Sequence, residues 1–166
     1  KKTGYKKIAH IRGPINIINA DQRYRGYLDE VANESWFSDD YVVNGNYDVV
    51  VTTKATKDLL TAHPEIDGVF AGKAYMALGV LKAASELGIR VPEDLSIMGF
   101  DGIQLCQLTS PEITTMAQPI YEIGHKAAQL LLEMIEGKSI PELHHQFQVT
   151  LTKGQSTKAL GVIDFE

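Results

Sequence analysis

A chain of 166 residues, 44% apolar and 22% charged, has the size and make-up of one globular domain able to bury a core. Its formal charge of -5 excludes this segment as a grip on a phosphate backbone, because nucleic-acid affinity rests on clustered Lys and Arg. A single cysteine, Cys106, excludes an intramolecular disulfide framework and a thiolate metal cluster, and fits a reducing cytoplasm.

The opening residues KKTGYKKIAHIRG are basic but lack an apolar stretch long enough for a signal peptide. No later run approaches membrane-spanning length, and the missing initiator Met points to a fragment. Residues 6–12 predict a first strand ended by Gly13-Pro14. A helix follows over 20–34, with Tyr24, Tyr27, Leu28 and Val31 on one face. A second strand is predicted at 41–44.

The next stretch, 48–63, carries conflicting signals. Val49 to Thr53 are β-branched, yet Ala55, Leu59 and Leu60 recur at helical spacing with Lys54, Lys57 and Asp58 outward, which predicts a helix of undefined start. GVFAG at 68–72 reads as a buried strand. The helix from about Tyr75 turns Ala77, Val80, Leu81, Ala84 and Leu87 inward and stops at Gly88, ahead of Pro92.

Strands follow at 95–100, ending in Asp101-Gly102, and at 113–117, leading to Gln118-Pro119. A helix over 120–136 has an apolar stripe of Ile123, Ala127, Leu130, Leu131 and Met134, and Gly137 ends it. A strand at 146–153 alternates, and the tail from Thr157 is expected to be loosely attached. The alternation of strand and helix predicts an α/β fold with a mostly parallel sheet between helical layers.

In such sheets ligands bind beyond the carboxyl ends of the strands. The loops there offer Gly13 to Asn19, Tyr47, Gly72-Lys73-Ala74, Asp101-Gly102 and Gln118, with Arg23 in the first turn of the first helix. An aromatic plate, an arginine fork, a carboxylate and an amide suit a polyhydroxylated ligand. Asp101 has a plainer reading as a turn cap before Gly102.

No nucleophile elbow, Walker loop, dinucleotide fingerprint or zinc-spaced His pair occurs, so no catalytic, metal or cofactor site is predicted. His144 and His145, next to the last strand, would point to opposite faces. His10 reads as a core or edge histidine and Cys106 as a small buried apolar residue.

GYKKIAHIRGP (4–14), QRYRGYLDEV (22–31), MALGVLKAASELGIRVPEDLSIMGFDG (76–102) and SPEITTMAQPIYEIG (110–124) resemble the lac-repressor and galactose-repressor family of bacterial transcription regulators. The likeness spans nearly the whole chain. It implies a periplasmic-binding-protein-like core of two hinged lobes behind a DNA-binding headpiece, with residues 1–156 forming the second lobe and 157–166 a tail. It also implies that the headpiece and first lobe are absent, that helix 120–136 belongs with the first lobe, and that an apolar stripe left bare there invites dimerisation or swapping.

Carried across, Arg23 becomes the fork on sugar hydroxyls, Tyr47 the stacking aromatic and Asp101 the hydroxyl acceptor. Gln118 falls at the crossover, with a hinge role. Where the family reads A-N-D-x-M-A-L-G, this chain has GKAYMALG from Gly72 to Gly79, so Lys73 replaces a neutral amide and Ala74 a carboxylate. That departure leaves two alternatives, a phosphorylated or acidic sugar derivative as effector, or a degenerate site.

The expected partners are thus a small-molecule effector, operator DNA through the missing domain, and a second copy in a homodimer. The alternative is an exported sugar-binding protein for transport or chemoreception, which would carry a signal peptide where a regulator carries a helix-turn-helix. An enzyme of doubly wound fold would need a base at a strand end, and only Asp101 offers one.

Overall fold

The computed structural model describes residues 6–158. In chain order they form β1 (Ile8–Arg12), α1 (Ile18–Val31), β2 (Val42–Asn44), α2 (Val49–Ala62), β3 (Gly68–Ala71), α3 (Ala74–Glu86), β4 (Ser96–Asp101), β5 (Thr114–Ala117), α4 (Ile120–Ile135) and β6 (Thr150–Thr152). Short 3-10 turns sit at Asp39–Tyr41 and Gln104–Gln107.

The strands make one six-stranded sheet in the order β2-β1-β3-β4-β5-β6. All pairs are parallel except β5 with β6. The expected α/β architecture is therefore present, with α2 and α3 on one face and α1 on the other. Alternate residues of the strands set the two faces. Ala9, Ile11, Val69, Ala71 and Ile97 join Leu59, Leu60, Met76, Ala77 and Val80 in the core beneath α2 and α3. Ile8, His10 and Arg12 face α1, whose Tyr27 donates from its hydroxyl to the Ile8 carbonyl (2.7 Å) and whose Tyr24 lies under the Arg12 guanidinium.

The ambiguous stretch resolves as a helix from Val49. Asp48 sits at the N-cap and its carboxylate accepts from the Val51 amide (2.8 Å). A cap and a shared apolar face outweigh the strand preference of three valines. The β-branched hydroxyls then serve packing. Thr53 donates to the Val49 carbonyl (2.8 Å) and across to the Gly79 carbonyl of α3 (3.3 Å), and Thr52 donates to the Gly45 carbonyl (3.2 Å).

At this crossing a Cβ on Gly79 would lie 2.7 Å from the Thr52 Cβ and 2.8 Å from the Val49 carbonyl oxygen. Gly79→Ala is therefore expected to destabilise the chain by a net of roughly 1–3 kcal/mol, because backbone overpacking outweighs the gain in helix propensity. A urea midpoint that rises with this substitution would show that α2 and α3 can separate freely.

The strand expected at 146–153 is shorter than its alternation suggests. Only Thr150–Thr152 pair, opposite Ala117, Met116 and Thr115, and the residues before them have no strand partner. α4 stands away from the body, none of its residues being buried, with Ile120, Tyr121, Leu131, Leu132, Met134 and Ile135 exposed. The chain then returns and locks between β4 and β5. Ser156 donates from its hydroxyl to the Ile97 carbonyl (2.6 Å), accepts from the Thr114 amide (2.9 Å), and its own carbonyl accepts from the Ile97 amide (2.8 Å). Thr157 and Lys158 are hydrogen-bonded to Thr114 and Ser96. The remainder of the tail expected to be loose lies outside the described residues.

Candidate functional site

Because β1 to β5 run parallel, their carboxyl ends share one edge, and the order 2-1-3 places a topological switch point between β1 and β3. Gly13, Tyr47, Lys73 and Gln118 follow strand ends here and Asp101 is the last residue of β4, while α1 leans over from one side with Arg23. The five predicted residues Arg23, Tyr47, Lys73, Asp101 and Gln118 come together in two contacting groups.

The first group centres on Asp101. Its Oδ1 accepts from Arg23 Nη2 (2.9 Å) and from the Gln118 side-chain amide (2.9 Å). The other guanidinium nitrogen, Nη1, donates to the Gly72 carbonyl (2.7 Å), and the guanidinium plane lies over the Phe100 ring, 3.9 Å from its centroid. Arg23 and Asp101 keep only 13% and 15% of their side-chain surface exposed, so the ion pair is largely desolvated and firmly placed. Gln118, expected at a hinge, thus has its amide on the central carboxylate.

Asp101 also has φ +87, and the Gly102 that follows has φ +66. This turn aims the carboxylate inward off the end of β4. A Cβ on Gly102 would meet Ala117 at 2.4 Å, which only glycine avoids.

The second group centres on Tyr47. Asn46 and Tyr47 both have positive φ, +51 and +58, which turns the ring back over the loop after β1. The phenol donates to Asn19 Oδ1 (2.8 Å), and a Cβ on Gly13 would lie 2.2 Å from the ring. Burial pushes the Tyr47 hydroxyl above its ordinary range, with Arg23 opposing and Asp101 adding, so the group stays protonated and can donate. The Lys73 ammonium lies 4.4 Å from the centroid of the same ring. Lys73 occupies the N-cap of α3 and makes no side-chain cap there.

Sequence reasoning missed Phe100 as the shelf beneath Arg23, although strand alternation next to Asp101 could have pointed to it. Asn19 ends the stretch after β1 already singled out, but its bond to Tyr47 was not foreseen. Nearby, Arg12 pairs with Asp21 (2.5 Å) at the start of α1. Cys106 is buried in its 3-10 turn and burial raises its thiol above the ordinary range, which makes it a packing residue. Among the described residues no group of His, Cys, Asp and Glu could hold a metal ion, and no helix is long and apolar enough to cross a membrane.

The chain belongs to the family of periplasmic binding protein-like domains, whose profile matches residues 1–157. It is 39% identical over 155 residues to the ribose operon repressor of Halalkalibacterium halodurans, an alignment covering 93% of this chain and 46% of that protein. Over 158 residues it is 37% identical to the HTH-type transcriptional repressor CytR of Escherichia coli K12, covering 95% of this chain and 46% of the repressor. Among solved structures, the transcriptional regulator CelR in its cellobiose complex superposes with a TM-score of 0.85 at 28% identity, over 93% of this chain and 48% of that one. The chain spans about half the length of the curated relatives it matches. The resemblance drawn from the motifs is upheld, since these relatives are transcriptional regulators.

Proposed function

We propose that this chain is the second lobe of the effector-sensing core of a bacterial transcription regulator, that it binds a polyhydroxylated small molecule such as a sugar or sugar derivative, and that it catalyses no reaction. The observation that carries this reading is the self-paired constellation at the strand ends. Arg23, Asp101 and Gln118 hold one another in register, so paired hydroxyls of a polyol meet a fixed set of donors and acceptors without reorganisation. The carboxylate at the centre of the site is engaged by an arginine and an amide rather than held free beside a nucleophile. The names of the relatives, a ribose operon repressor and a regulator in complex with cellobiose, support a sugar-type ligand.

In the working regulator this wall faces the first lobe across the ligand, and closure is read by a DNA-binding domain on the same polypeptide in a homodimer, in the cytoplasm. α4, whose apolar surface is bare here, packs on that other lobe. Transport or chemoreception would use the same wall, but the named relatives favour regulation.

The test is amide NMR of the chain titrated with a panel of sugars, sugar phosphates and sugar acids. The expected result is weak binding, because one wall of a cleft supplies half the contacts, with shifts centred on Arg23, Phe100, Asp101 and Gln118. A panel that moves none of these four, or moves only residues elsewhere, would overturn the assignment.

A further inference from the structure

Once the pairing along this edge is traced, one cation is left without a carboxylate. Arg23 is neutralised by Asp101 and Arg12 by Asp21, while Asp48 is engaged in capping α2. Lys73 forms an ion pair with none of the described carboxylates. Its ammonium instead rests on the face of Tyr47, a contact weaker than a charge pair.

From this imbalance we infer that the cleft selects a ligand bearing an anionic group, a phosphate or carboxylate attached to the polyol, and that Lys73 is the residue that reads it. The inference rests on the reading of this edge as a polyol site. A neutral ring stacking on the face of Tyr47 that Lys73 covers would have to push the ammonium aside and give nothing in exchange for its charge. An anion placed there keeps the lysine where it is and supplies the missing counter-charge. The same anion would lie at the start of the 13-residue α3, whose first-turn amides have no side-chain cap, so the helix dipole adds in the same direction. Tyr47, tied to Asn19 through its hydroxyl, then acts as a platform that holds Lys73 rather than as a stacking plate.

The deciding experiment is a matched titration of the chain, followed by amide and lysine side-chain NMR, with ribose, ribose 5-phosphate, ribonate and inorganic phosphate, repeated on Lys73→Asn and Lys73→Arg. One anionic derivative is expected to bind roughly tenfold or more tightly than ribose, with the Lys73 ammonium and the Ala74 amide shifting, and which of the two it is assigns phosphate or carboxylate. Lys73→Asn should bring that preference to within about twofold, and Lys73→Arg should keep part of it. Equal affinity for ribose and both anions, or a preference unchanged in Lys73→Asn, overturns the inference and leaves the polyol site standing. Shifts at Lys73 with inorganic phosphate as strong as with the ester, and none at Arg23 or Asp101, uphold Lys73 as the anion reader and overturn the polyol reading.

Discussion

Arg23→Ala is expected to remove measurable ligand binding and to lower the stability of the chain by about 1–3 kcal/mol while leaving it folded. The binding loss follows from removing a planar fork, since two charge-assisted hydrogen bonds together are worth about a hundredfold or more in affinity. The stability loss follows from the pairing. Without Arg23 the Asp101 carboxylate keeps only Gln118 as a side-chain partner, in a place where 15% of its surface reaches water, and the Gly72 carbonyl loses its donor. From sequence alone Arg23 was expected as the fork on ligand hydroxyls. The shelf of Phe100 beneath it is what makes the residue structural as well.

Combining Arg23→Ala with Asp101→Ala should therefore cost less than the sum of the two single changes, because the second substitution removes the charge that the first one stranded. Urea denaturation of the three variants gives the stabilities, and the ligand titration gives the affinities. Unchanged affinity in Arg23→Ala would remove this residue from the site.

Acid is expected to destabilise the protein through His10 as the pH falls from 6.5 towards 4. His10 is fully buried in β1, stacked against Tyr27 and Phe70 at 5.0 and 4.9 Å between centroids. Nδ1 meets the Phe70 carbonyl at 2.9 Å; a carbonyl only accepts, so Nδ1 carries the hydrogen, and Nε2 has no partner. Burial, aided by the nearby Arg12 and opposed by the bond to Phe70, lowers the imidazole from 6.5 to about 4.

The folded state therefore disfavours the proton that the unfolded chain takes up near pH 6.5. Stability is fully present above that pH, falls as pH drops towards 4, and levels off below, with a total loss of about 3 kcal/mol. His10→Phe keeps a stacked ring and removes the titration, so its stability should be flatter by about one proton between pH 6.5 and 4. An identical slope in the two proteins would assign the acid sensitivity elsewhere.

The strand and helix order was legible because each apolar run ended in a residue that stops it, such as Gly13-Pro14 after β1, Gly88 after α3 and Asp101-Gly102 after β4. The start of α2 was not, since Val49 to Thr53 favour a strand when judged alone, and only Asp48 at the cap with Thr53 on Gly79 decides for the helix. The span of β6 was overestimated because alternation at 146–149 has no neighbouring strand to pair with.

The site was legible as a set of positions, since strand ends on a parallel sheet must share an edge. Its internal pairing was not. That Arg23 turns to Asp101, and Lys73 to Tyr47, depends on positive φ at Asn46, Tyr47 and Asp101, which turn composition does not announce in residues other than glycine.

Ala117 and Thr150 stand directly opposite each other in the β5–β6 pair, so the chain that leaves the sheet through α4 comes back to the place it left. In polymer terms the intervening segment is a closed loop whose ends are already side by side. Closure entropy grows only with the logarithm of loop length, so such a loop can gain or lose a helix at little expense to the sheet that closes it. The sheet therefore has a port, an entry and an exit one strand apart, at which a further layer can be threaded through the chain while the core beneath α2 and α3 stays as it is.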